Sequence, residues 1–364
     1  MTEVSWFSAL CDDDYEFLGV AQPQLRSSWE HCRNIVDHAE RNGFDNILLP
    51  SGYELGIDAT AVAAAIATHT TRINLLLAVR AAELWPPQLA RQLATIDQMS
   101  QGRLTVNIIS SDLAGAPLAS GPRYRRTTEV MQILRRLLNG ETLDFHGEFF
   151  QIQMSPPAVR SLSGACPPFY FGGLSEDARQ CAAAEADVFL MWPDTTDEVA
   201  SIMADMRARA ALHQRTLRFG YRVHVIVRDT EAQARAAAER LMSKLDADVG
   251  DTIKAKSLDS QSVGVRRQAE LRQSAVSDDG YVEDNLWTGI GRARSGCGAA
   301  IVGDPDQVLA KLRAYQALGM DAFILSGYPH VDECDLFAHH VLPHLEHAPL
   351  HVASHASSPT TGGH

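Results

Sequence analysis

Residues 219–226 read Phe219-Gly220-Tyr221-Arg222-Val223-His224-Val225-Ile226, and the interpretation of the whole chain depends on this stretch. As a β-strand it alternates its side chains between two faces, so Arg222 and His224 share one face and apolar residues share the other. A buried parallel strand is usually apolar on both faces. The pair therefore indicates either a solvated edge, which is the ordinary place for such residues, or a polar face that lines a site.

Short apolar runs alternate with helical segments along the rest of the chain. Eight runs are predicted to be strands: 4–10, 46–50, 73–80, 104–109, 169–171, 187–191, 217–227 and 322–325. Helical periodicity follows each run, and the length suits one large domain, so the pattern predicts an α/β fold, a (β/α)8 TIM barrel. A doubly wound sheet is the competing fold. It lacks support because no glycine-rich dinucleotide loop follows the first run, and the glycines of 289–296 have the wrong spacing.

Two segments interrupt this alternation. Residues 141–167 follow the fourth strand and predict a hairpin around His146-Gly147 and a proline-containing loop. Residues 246–285 follow the seventh strand, are polar with little periodicity, and predict either an exposed helical excursion or a mobile lid. Neither segment marks a boundary, so we expect a single domain over residues 1–348. Residues 349–364 are rich in Ser, Thr, Gly and His, and we expect a disordered tail there.

Composition argues against several classes of function. The formal net charge of −13 and the lack of a Lys/Arg run argue against nucleic-acid binding. No apolar segment approaches the ~18 residues of a membrane helix and the first residues resemble no leader, so a cytoplasmic protein is expected. The six cysteines have no CxxC spacing and are expected to be free thiols. No histidines have the spacing of metal ligands, so no metal site is predicted.

In a (β/α)8 barrel the functional residues gather at the carboxyl ends of the strands. The residues predicted at that end are Cys11, Asp12, Ser51, Tyr53, Glu54, Arg80, Trp85, Asn107, Ser110, Ser111, Gly172, Gly173, Ser175, Trp192, Arg222, His224, Tyr328 and His330. For about half of them, such as Trp85, Trp192 and Ser110, a role in packing or capping explains the residue as well as a functional role does. Arg80 and Arg222 are harder to explain, since two guanidinium groups at one barrel mouth repel unless an anion lies between them. We therefore expect an anionic ligand.

A phosphate site is predicted after the fifth strand, where Gly172-Gly173-Leu174-Ser175 opens a helix. Glycines let the backbone approach a ligand, and the N–H groups at a helix start attract negative charge. An ordinary helix cap formed by Ser175 explains the same residues equally well. Arg123-Tyr124-Arg125-Arg126 opens the helix after strand four, which makes Tyr124 a candidate for a second phosphate contact. A solvated basic helix start is the alternative for that segment.

Several segments together resemble the bacterial luciferase-like flavin monooxygenases and, within that family, the two-component alkanesulfonate monooxygenases. The segments are 90–97, 102–103, 135–141, 170–173, 222–228, 285–291 and 325–330. The resemblance covers nearly the whole chain. It implies a (β/α)8 barrel that takes reduced FMN from a separate NAD(P)H-dependent FMN reductase and uses O2 to cleave a carbon–sulfur bond in a small organosulfonate. It also implies a homodimer or homotetramer.

The resemblance assigns roles to individual positions. The implied catalytic residues are His224, Arg222, Tyr328 and Arg294, the last on a mobile lid that would span residues 246–296. The implied flavin contacts are Asn107, Tyr124, Gly173 and Ser175. We assign substrate contacts to Arg80, Trp192, Tyr53 and His330. Closure of the lid would keep water away from the reacting oxygen species.

The chain departs from the alkanesulfonate enzymes in two places. Those enzymes carry a histidine after strand one and a cysteine after strand two, where this chain has Cys11 and Tyr53-Glu54-Leu55-Gly56. Within the family the chain most resembles the branch that acts on sulfoquinovose, a sulfonated sugar. Tyr53, Glu54 and Asp12 offer hydrogen bonds that suit sugar hydroxyls better than an alkyl tail.

The reaction that the resemblance implies is oxidation of the carbon that bears sulfur. It would release sulfite and an aldehyde, which is 6-oxo-glucose if the substrate is sulfoquinovose. Arg222, Arg294 and Arg80 would hold the sulfonate, and His224 and Tyr328 would move protons or stabilise the reacting oxygen species. Three alternatives remain open: an alkanesulfonate or other organosulfonate as substrate, a deazaflavin-dependent oxidoreductase that needs no O2, and a non-catalytic flavin-binding subunit.

Overall fold

The structure, a computed structural model, describes residues 1–52, 56–111, 115–255, 262–275, 279–294 and 296–352. Its strands are β1 (Glu3–Phe7), β2 (Asn46–Leu49), β3 (Asn74–Arg80), β4 (Leu104–Ile109), β5 (Leu143–His146), β6 (Gln151–Met154), β7 (Phe169–Phe171), β8 (Val188–Met191), β9 (Arg218–Val227), β10 (Tyr281–Glu283), β11 (Leu286–Trp287), β12 (Ala300–Gly303) and β13 (Ala322–Ser326). Its α-helices are α1 (Trp29–Arg41), α2 (Ala59–His69), α3 (Pro86–Met99), α4 (Ser120–Leu138), α5 (Glu176–Glu185), α6 (Thr196–Leu212), α7 (Glu231–Met242), α8 (Ala247–Ala255), α9 (Val263–Gln273), α10 (Pro305–Ala317) and α11 (His330–His340).

Eight of these strands form a closed parallel barrel. The order around the ring is β9, β13, β1, β2, β3, β4, β7 and β8, and β8 pairs with β9 to close it. Each neighbouring pair is parallel, and a helix follows each strand in the chain. The predicted (β/α)8 TIM barrel is therefore confirmed, and the doubly wound sheet is excluded.

Local sequence explains where the helices begin. The side chains of Ser28, Asp58 and Thr230 each accept a hydrogen bond from a backbone N–H three residues further on, which caps α1, α2 and α7. The barrel strands are largely buried on both faces, because helices cover the barrel outside and side chains fill it inside. No helix in the described part of the chain is long and apolar enough to cross a membrane.

Both predicted insertions are present. The first contains an antiparallel hairpin of β5 and β6 that turns after His146, which confirms the predicted position. The second follows β9 and α7, and contains α8, α9 and an antiparallel pairing of β10 with β11. The described part of this segment is therefore helical, and its role as a mobile lid stays a prediction.

Strand β12 is an element that the sequence pattern does not predict. Its residues pair in parallel with the last part of β9, from Ala300 beside His224 to Gly303 beside Val227. The long strand β9 pairs with β8 only over its first four residues. Its remaining edge is covered by β12. A four-residue run flanked by alanines and glycines carries too little periodicity to reveal such a partner.

The segment predicted as a tail begins in contact with the barrel. The Leu350 backbone N–H donates to the Glu3 carboxylate at 3.0 Å, and the Asn74 amide donates to the His351 carbonyl oxygen at 2.7 Å. Residues 349–352 therefore run across the amino-terminal end of the strands. The rest of the predicted tail, 353–364, lies outside the described residues.

Candidate active site

The polar face of β9 points into the barrel. Arg222 and His224 are 4% and 1% exposed, and both contact the hydroxyl of Ser326, the last residue of β13. Arg222 Nη2 donates to Ser326 Oγ at 2.8 Å, and His224 Nδ1 lies 2.7 Å from the same oxygen. Tyr221 and Val223 pack in the hydrophobic core on the other face of the strand. The predicted shared face is confirmed, and the solvated edge is excluded.

Arg222 carries a buried charge without a carboxylate partner. Its Nη1 group donates to the Val223 carbonyl at 3.0 Å, and its guanidinium lies 4.3 Å from the centroid of the Phe7 ring. Among the residues that the structure describes, no carboxylate lies within ion-pair distance of it. Burial lowers the pKa of Arg222 below its usual value. Because an unpaired buried cation is costly, this position favours an anionic ligand.

His224 is held as a neutral imidazole. Burial, followed by the nearby charges of Arg222 and Arg294, lowers the pKa of His224 well below its usual value. Its ring stacks on the ring of Tyr328 at a centroid distance of 5.3 Å. Its Nε2 atom is buried and has no hydrogen-bond partner in the described ranges. This nitrogen is therefore available to a bound ligand.

A second imidazole, His330, also contacts Tyr328, with ring centroids 5.0 Å apart. His330 Nδ1 lies 2.7 Å from one carboxylate oxygen of Asp14, and His31 Nε2 lies 3.0 Å from the other. Burial opposes ionisation of Asp14, but the contacts with His330 and His31 lower its pKa far below the usual range. The carboxylate is therefore ionised. Like His224, this ring has a buried Nε2 without a partner in the described part of the chain.

The second insertion brings Arg294 to the same mouth. Its Nη1 group donates to Asp12 at 2.7 Å, and the Tyr15 hydroxyl donates to the other oxygen of Asp12 at 3.1 Å. Burial raises the pKa of Tyr328, with the charge of Arg294 as the main opposing influence, so the phenol keeps its proton. Arg294 thus differs from Arg222, because it already has a carboxylate partner.

A cleft of about 400 Å³ opens beside this cluster, at the carboxyl ends of β4, β7 and β8. The four predicted flavin contacts all line it: Asn107, Tyr124, Gly173 and Ser175. Trp192 lines it as well, together with Arg123 and with Arg266 of the second insertion. The hydroxyls, the guanidinium groups and the N–H groups at the start of α5 form a donor set that suits the phosphate of FMN.

Close approaches explain the two glycines of this cleft. A Cβ on Gly172 would lie 2.4 Å from the Leu190 carbonyl oxygen. Gly173 has a φ of +153°, and its Cβ would lie 2.7 Å from that of Ala178. Ser175 caps α5 by accepting from the Ala178 N–H at 3.2 Å. Its hydroxyl can still donate its hydrogen to a ligand, so the cap and the phosphate contact are compatible.

The second insertion covers the Trp192 side of the cleft. A Cβ on Gly264 or on Gly296 would come within 3.0 Å or 3.1 Å of the Trp192 indole ring, so the second insertion covers the ring at two points. Gly296 precedes Cys297, whose thiol donates to the Arg222 carbonyl oxygen at 3.4 Å. The insertion therefore contacts both the cleft, at Trp192, and the strand that carries the cluster, at the Arg222 backbone.

An ion pair fastens the insertion next to Trp192. Arg267 donates to both carboxylate oxygens of Asp194, at 2.6 Å and 2.8 Å, and the Asp194 side chain is 3% exposed. Gln268 donates to the Pro193 carbonyl oxygen at 2.6 Å. We call the Arg267–Asp194 pair the latch. It holds α9 against the loop that follows β8.

Two predicted substrate contacts are not part of this arrangement. Arg80 is buried, donates to the Ser111 hydroxyl, and lies 3.5 Å from the Glu83 carboxylate. Within the described ranges no contact joins Arg80 to Arg222, so the expected convergence of these guanidinium groups on one anion finds no support. Tyr53 lies outside the described residues. The assignments of Arg80 and Tyr53 stay predictions.

The sequence did not reveal Ser326, Asp14 or His31 as parts of the site. Ser326 had a usable signal, because it is a hydroxyl at the carboxyl end of a barrel strand. Asp14 had none, since its partners His31 and His330 are 17 and 316 positions away in the chain.

The described residues also bear on metals and thiols. No group of three His, Cys, Asp or Glu side chains among them could hold a metal ion. All six cysteines are free thiols, as their spacing predicted.

A (β/α)8 barrel whose mouth combines a phosphate-type cleft with a buried arginine and two imidazoles suits a flavin-dependent oxygenase. Residues 16–322 match the family model of luciferase-like monooxygenases, and the chain belongs to this family.

Two curated relatives are similar over nearly their whole length. The chain is 65% identical over 357 residues to the sulfoquinovose monooxygenase of Novosphingobium aromaticivorans, which covers 96% of this chain and 98% of the relative. It is 52% identical over 347 residues to the sulfoquinovose monooxygenase of Agrobacterium fabrum, with 94% and 90% covered. Among solved structures, DmoA from Hyphomicrobium sulfonivorans aligns with a TM-score of 0.77 at 18% identity, over 96% of this chain and 90% of that one. At that identity the likeness shows the fold alone.

Proposed function

We propose that this chain is a two-component monooxygenase that uses reduced FMN and O2 to cleave the carbon–sulfur bond of sulfoquinovose. The relatives that are 65% and 52% identical carry the name sulfoquinovose monooxygenase. The structural observation that carries the proposal is the buried guanidinium of Arg222, which no carboxylate of the described residues neutralises. A sulfonate supplies the missing negative charge and three oxygens that accept hydrogen bonds.

The sulfonate would lie between Arg222 and Arg294. Arg222 offers a cation that is already ordered by Ser326, so little conformational freedom is lost on binding. Arg294 would share its charge between Asp12 and the ligand. The unpartnered Nε2 atoms of the two imidazoles would face the carbon next to the sulfonate, on either side of the phenol that both rings contact.

The cleft would hold FMN, with its phosphate at Ser175, Tyr124 and the start of α5. Asn107 and Trp192 would contact the rest of the cofactor or the substrate beside it. When bound, reduced FMN supplies the electrons that activate O2. An NAD(P)H-dependent FMN reductase would deliver the reduced cofactor.

The second insertion would exclude water from the mouth. It covers Trp192, places Arg294 beside Asp12, and is fixed by the latch. The overall reaction converts sulfoquinovose, O2 and reduced FMN into 6-oxo-glucose, sulfite, oxidised FMN, water and one proton.

The structure describes only part of the pocket that would contact the sugar hydroxyls. Of the three side chains assigned to sugar hydroxyls, Asp12 already bonds to Arg294 and Tyr15. Tyr53 and Glu54 lie outside the described residues. Selectivity for the sugar therefore rests on the similarity to the two relatives. The homodimer or homotetramer and the cytoplasmic location stay predictions.

The test is sulfite release by the purified protein with an added NAD(P)H-dependent FMN reductase, FMN and O2. Sulfoquinovose is compared with a panel of alkanesulfonates at equal concentration. Sulfite from sulfoquinovose at a higher kcat/KM than from any alkanesulfonate supports the proposal. The reverse order makes an alkanesulfonate the substrate.

Two further arms address the other classes. Turnover of a reduced deazaflavin without O2 would make the chain an oxidoreductase of another kind. If the protein binds FMN tightly, releases no sulfite from any sulfonate, and binds FMN equally well as His224→Ala, it is a non-catalytic flavin-binding subunit.

A further inference from the structure

We infer that His330, oriented by Asp14, accepts the proton that the proposed reaction releases, and that His224 acts there as a hydrogen-bond donor. The inference rests on the proposed function, because both imidazoles lie in the mouth that would hold the sulfonate. The two rings contact the same phenol, that of Tyr328, and yet their other neighbours differ in charge.

The reaction creates the need for a proton acceptor. The carbon that bears sulfur exchanges its C–S bond for a C=O bond and loses one hydrogen as a proton, while sulfite leaves with the electrons of the C–S bond. O2 is the oxidant and reduced FMN the reductant, so that one oxygen atom enters the aldehyde and the other leaves as water. One proton remains, and a basic atom near the reacting carbon is needed to take it.

The surroundings of Asp14 fix the hydrogen positions of His330. Asp14 accepts from the backbone N–H groups of Tyr15 at 2.8 Å and of His330 at 2.9 Å, in addition to its contacts with both histidine rings. An ionised carboxylate can only accept hydrogen bonds, so the nitrogen of His330 that faces it, Nδ1, must carry a hydrogen. In the neutral ring the buried Nε2 then has a free lone pair. When that lone pair takes a proton, Asp14 stabilises the charge.

The surroundings of His224 favour the opposite arrangement. The hydroxyl oxygen of Ser326 accepts from Arg222, and we assign its own hydrogen to the Nδ1 of His224, which lies 2.7 Å away. The hydrogen of the neutral ring then lies on Nε2. Two guanidinium groups, of Arg222 and Arg294, disfavour a second proton on this ring. His224 can therefore donate a hydrogen bond to an oxygen, and it is poorly suited to take up a proton.

Titratable groups from three parts of the fold face His330. They are Asp14 on the loop after β1, His224 on β9 and Tyr328 on its own segment, while His31 on α1 and the charge of Asp332 act on Asp14. Of these, Asp14 is the anion in direct contact with the ring within the described ranges. Asp14 is thus a positioning residue, and His31 helps to hold it.

The first test reads the ring nitrogens directly and needs no flavin. The protein is labelled with ¹⁵N-histidine, and the two signals are assigned with His330→Gln and His224→Gln. We expect the neutral His330 ring to carry its hydrogen on Nδ1 and to show an unprotonated Nε2, while His224 carries its hydrogen on Nε2. A hydrogen on Nε2 of the neutral His330 ring, or on Nδ1 of His224, overturns the inference.

The second test uses Asp14→Asn with Asp13→Asn as its matched control. Asp13 lies on the same loop, and its carboxylate accepts from the Ser27 backbone N–H. We expect Asp14→Asn to lower kcat for sulfite release by about 10²-fold and to change the ¹⁵N signals of the His330 ring, while Asp13→Asn changes neither. Equal effects of the two variants overturn the inference.

These outcomes remain separable from the proposed function. If circular dichroism shows that Asp14→Asn does not fold, His330→Gln is used in its place. Gln cannot take up the proton, so kcat should fall by a similar factor. If the unmodified protein releases no sulfite from sulfoquinovose, the proposed function fails, while the nitrogen signals still decide whether the two rings have opposite hydrogen positions.

Discussion

Two arginines of neighbouring parts of the barrel, Arg222 in the mouth and Arg228 on the rim around it, are neutralised differently. In the mouth, Arg222 bonds to a hydroxyl and to backbone carbonyls, and no described carboxylate pairs with it. On the rim, Arg228 follows the same strand and binds both oxygens of the buried Glu333, at 2.5 Å and 3.1 Å. The latch between Arg267 and Asp194 is built in the same way.

This difference distinguishes arginines that stabilise the fold from an arginine that is available to bind a ligand. A buried ion pair is satisfied within the protein, and losing one partner leaves the other charge buried alone. The rim pairs therefore hold loops in place. Arg222 is in the opposite situation, because the protein orders its guanidinium and leaves its charge for a ligand to neutralise.

The largest expected effect comes from Arg222→Met. Loss of a desolvated charge contact with the sulfonate should lower kcat/KM by about 10²- to 10³-fold, whereas the melting temperature of the ligand-free protein should not fall. Sulfite release and thermal unfolding measure the two quantities. Arg228→Met is the control, since it strands Glu333 and should destabilise the protein by about 3 kcal/mol. Equal destabilisation by both variants would show that Arg222 is neutralised after all.

The rim also makes a prediction about pH. Burial, only partly offset by Arg228, raises the pKa of Glu333 from 4.5 to about 6. The folded state thus holds this proton more tightly than the unfolded state, so the contribution of Glu333 to stability falls as pH rises from 4.5 through about 6. The loss amounts to about 2 kcal/mol. Chemical denaturation at about pH 5 and pH 7 should show this fall in the parent protein and a smaller one in Glu333→Gln. Identical pH slopes would contradict it.

The latch should have a smaller effect on turnover. Arg267→Met should lower kcat by about tenfold, because α9 and the glycines over Trp192 are no longer held, and it should speed proteolysis within the insertion. Adding Asp194→Asn to this variant should restore part of the lost stability, since no charge then remains buried alone. Glu270→Gln removes an exposed charge from the same helix and is the control. Turnover that falls equally in the control would rule out a role for the latch.

The smallest effect is expected in the cleft. Ser175→Ala should weaken binding of reduced FMN by about fivefold, since one hydrogen bond to the phosphate is lost. Anaerobic fluorescence titration measures this affinity. Thr230→Ala removes the equivalent cap of α7, far from the cleft, and each variant should lose about 1 kcal/mol of stability. If both variants bind reduced FMN like the parent protein, Ser175 is a cap and nothing more.

The sequence by itself determined the order of strands and helices, the position of both insertions, and the face of β9 on which Arg222 and His224 lie. It also placed Tyr124 near the start of α4 and Ser175 at the cap of α5, whereas their roles as flavin contacts came from the family resemblance. These features depend on periodicity and on caps, which act over a few neighbouring residues, so they are visible in a linear chain.

Only the tertiary structure decided which partner each charged group has. Ser326 bridges Arg222 and His224 from about a hundred positions further along the chain, and Asp14 contacts His330, which lies near the other end of the chain. Strand β12 forms because β9 extends beyond β8 and leaves an edge to be covered. Closure of the barrel brings these distant positions together. The neighbours that it supplies leave Arg222 without a carboxylate and give the rings of His330 and His224 opposite hydrogen positions.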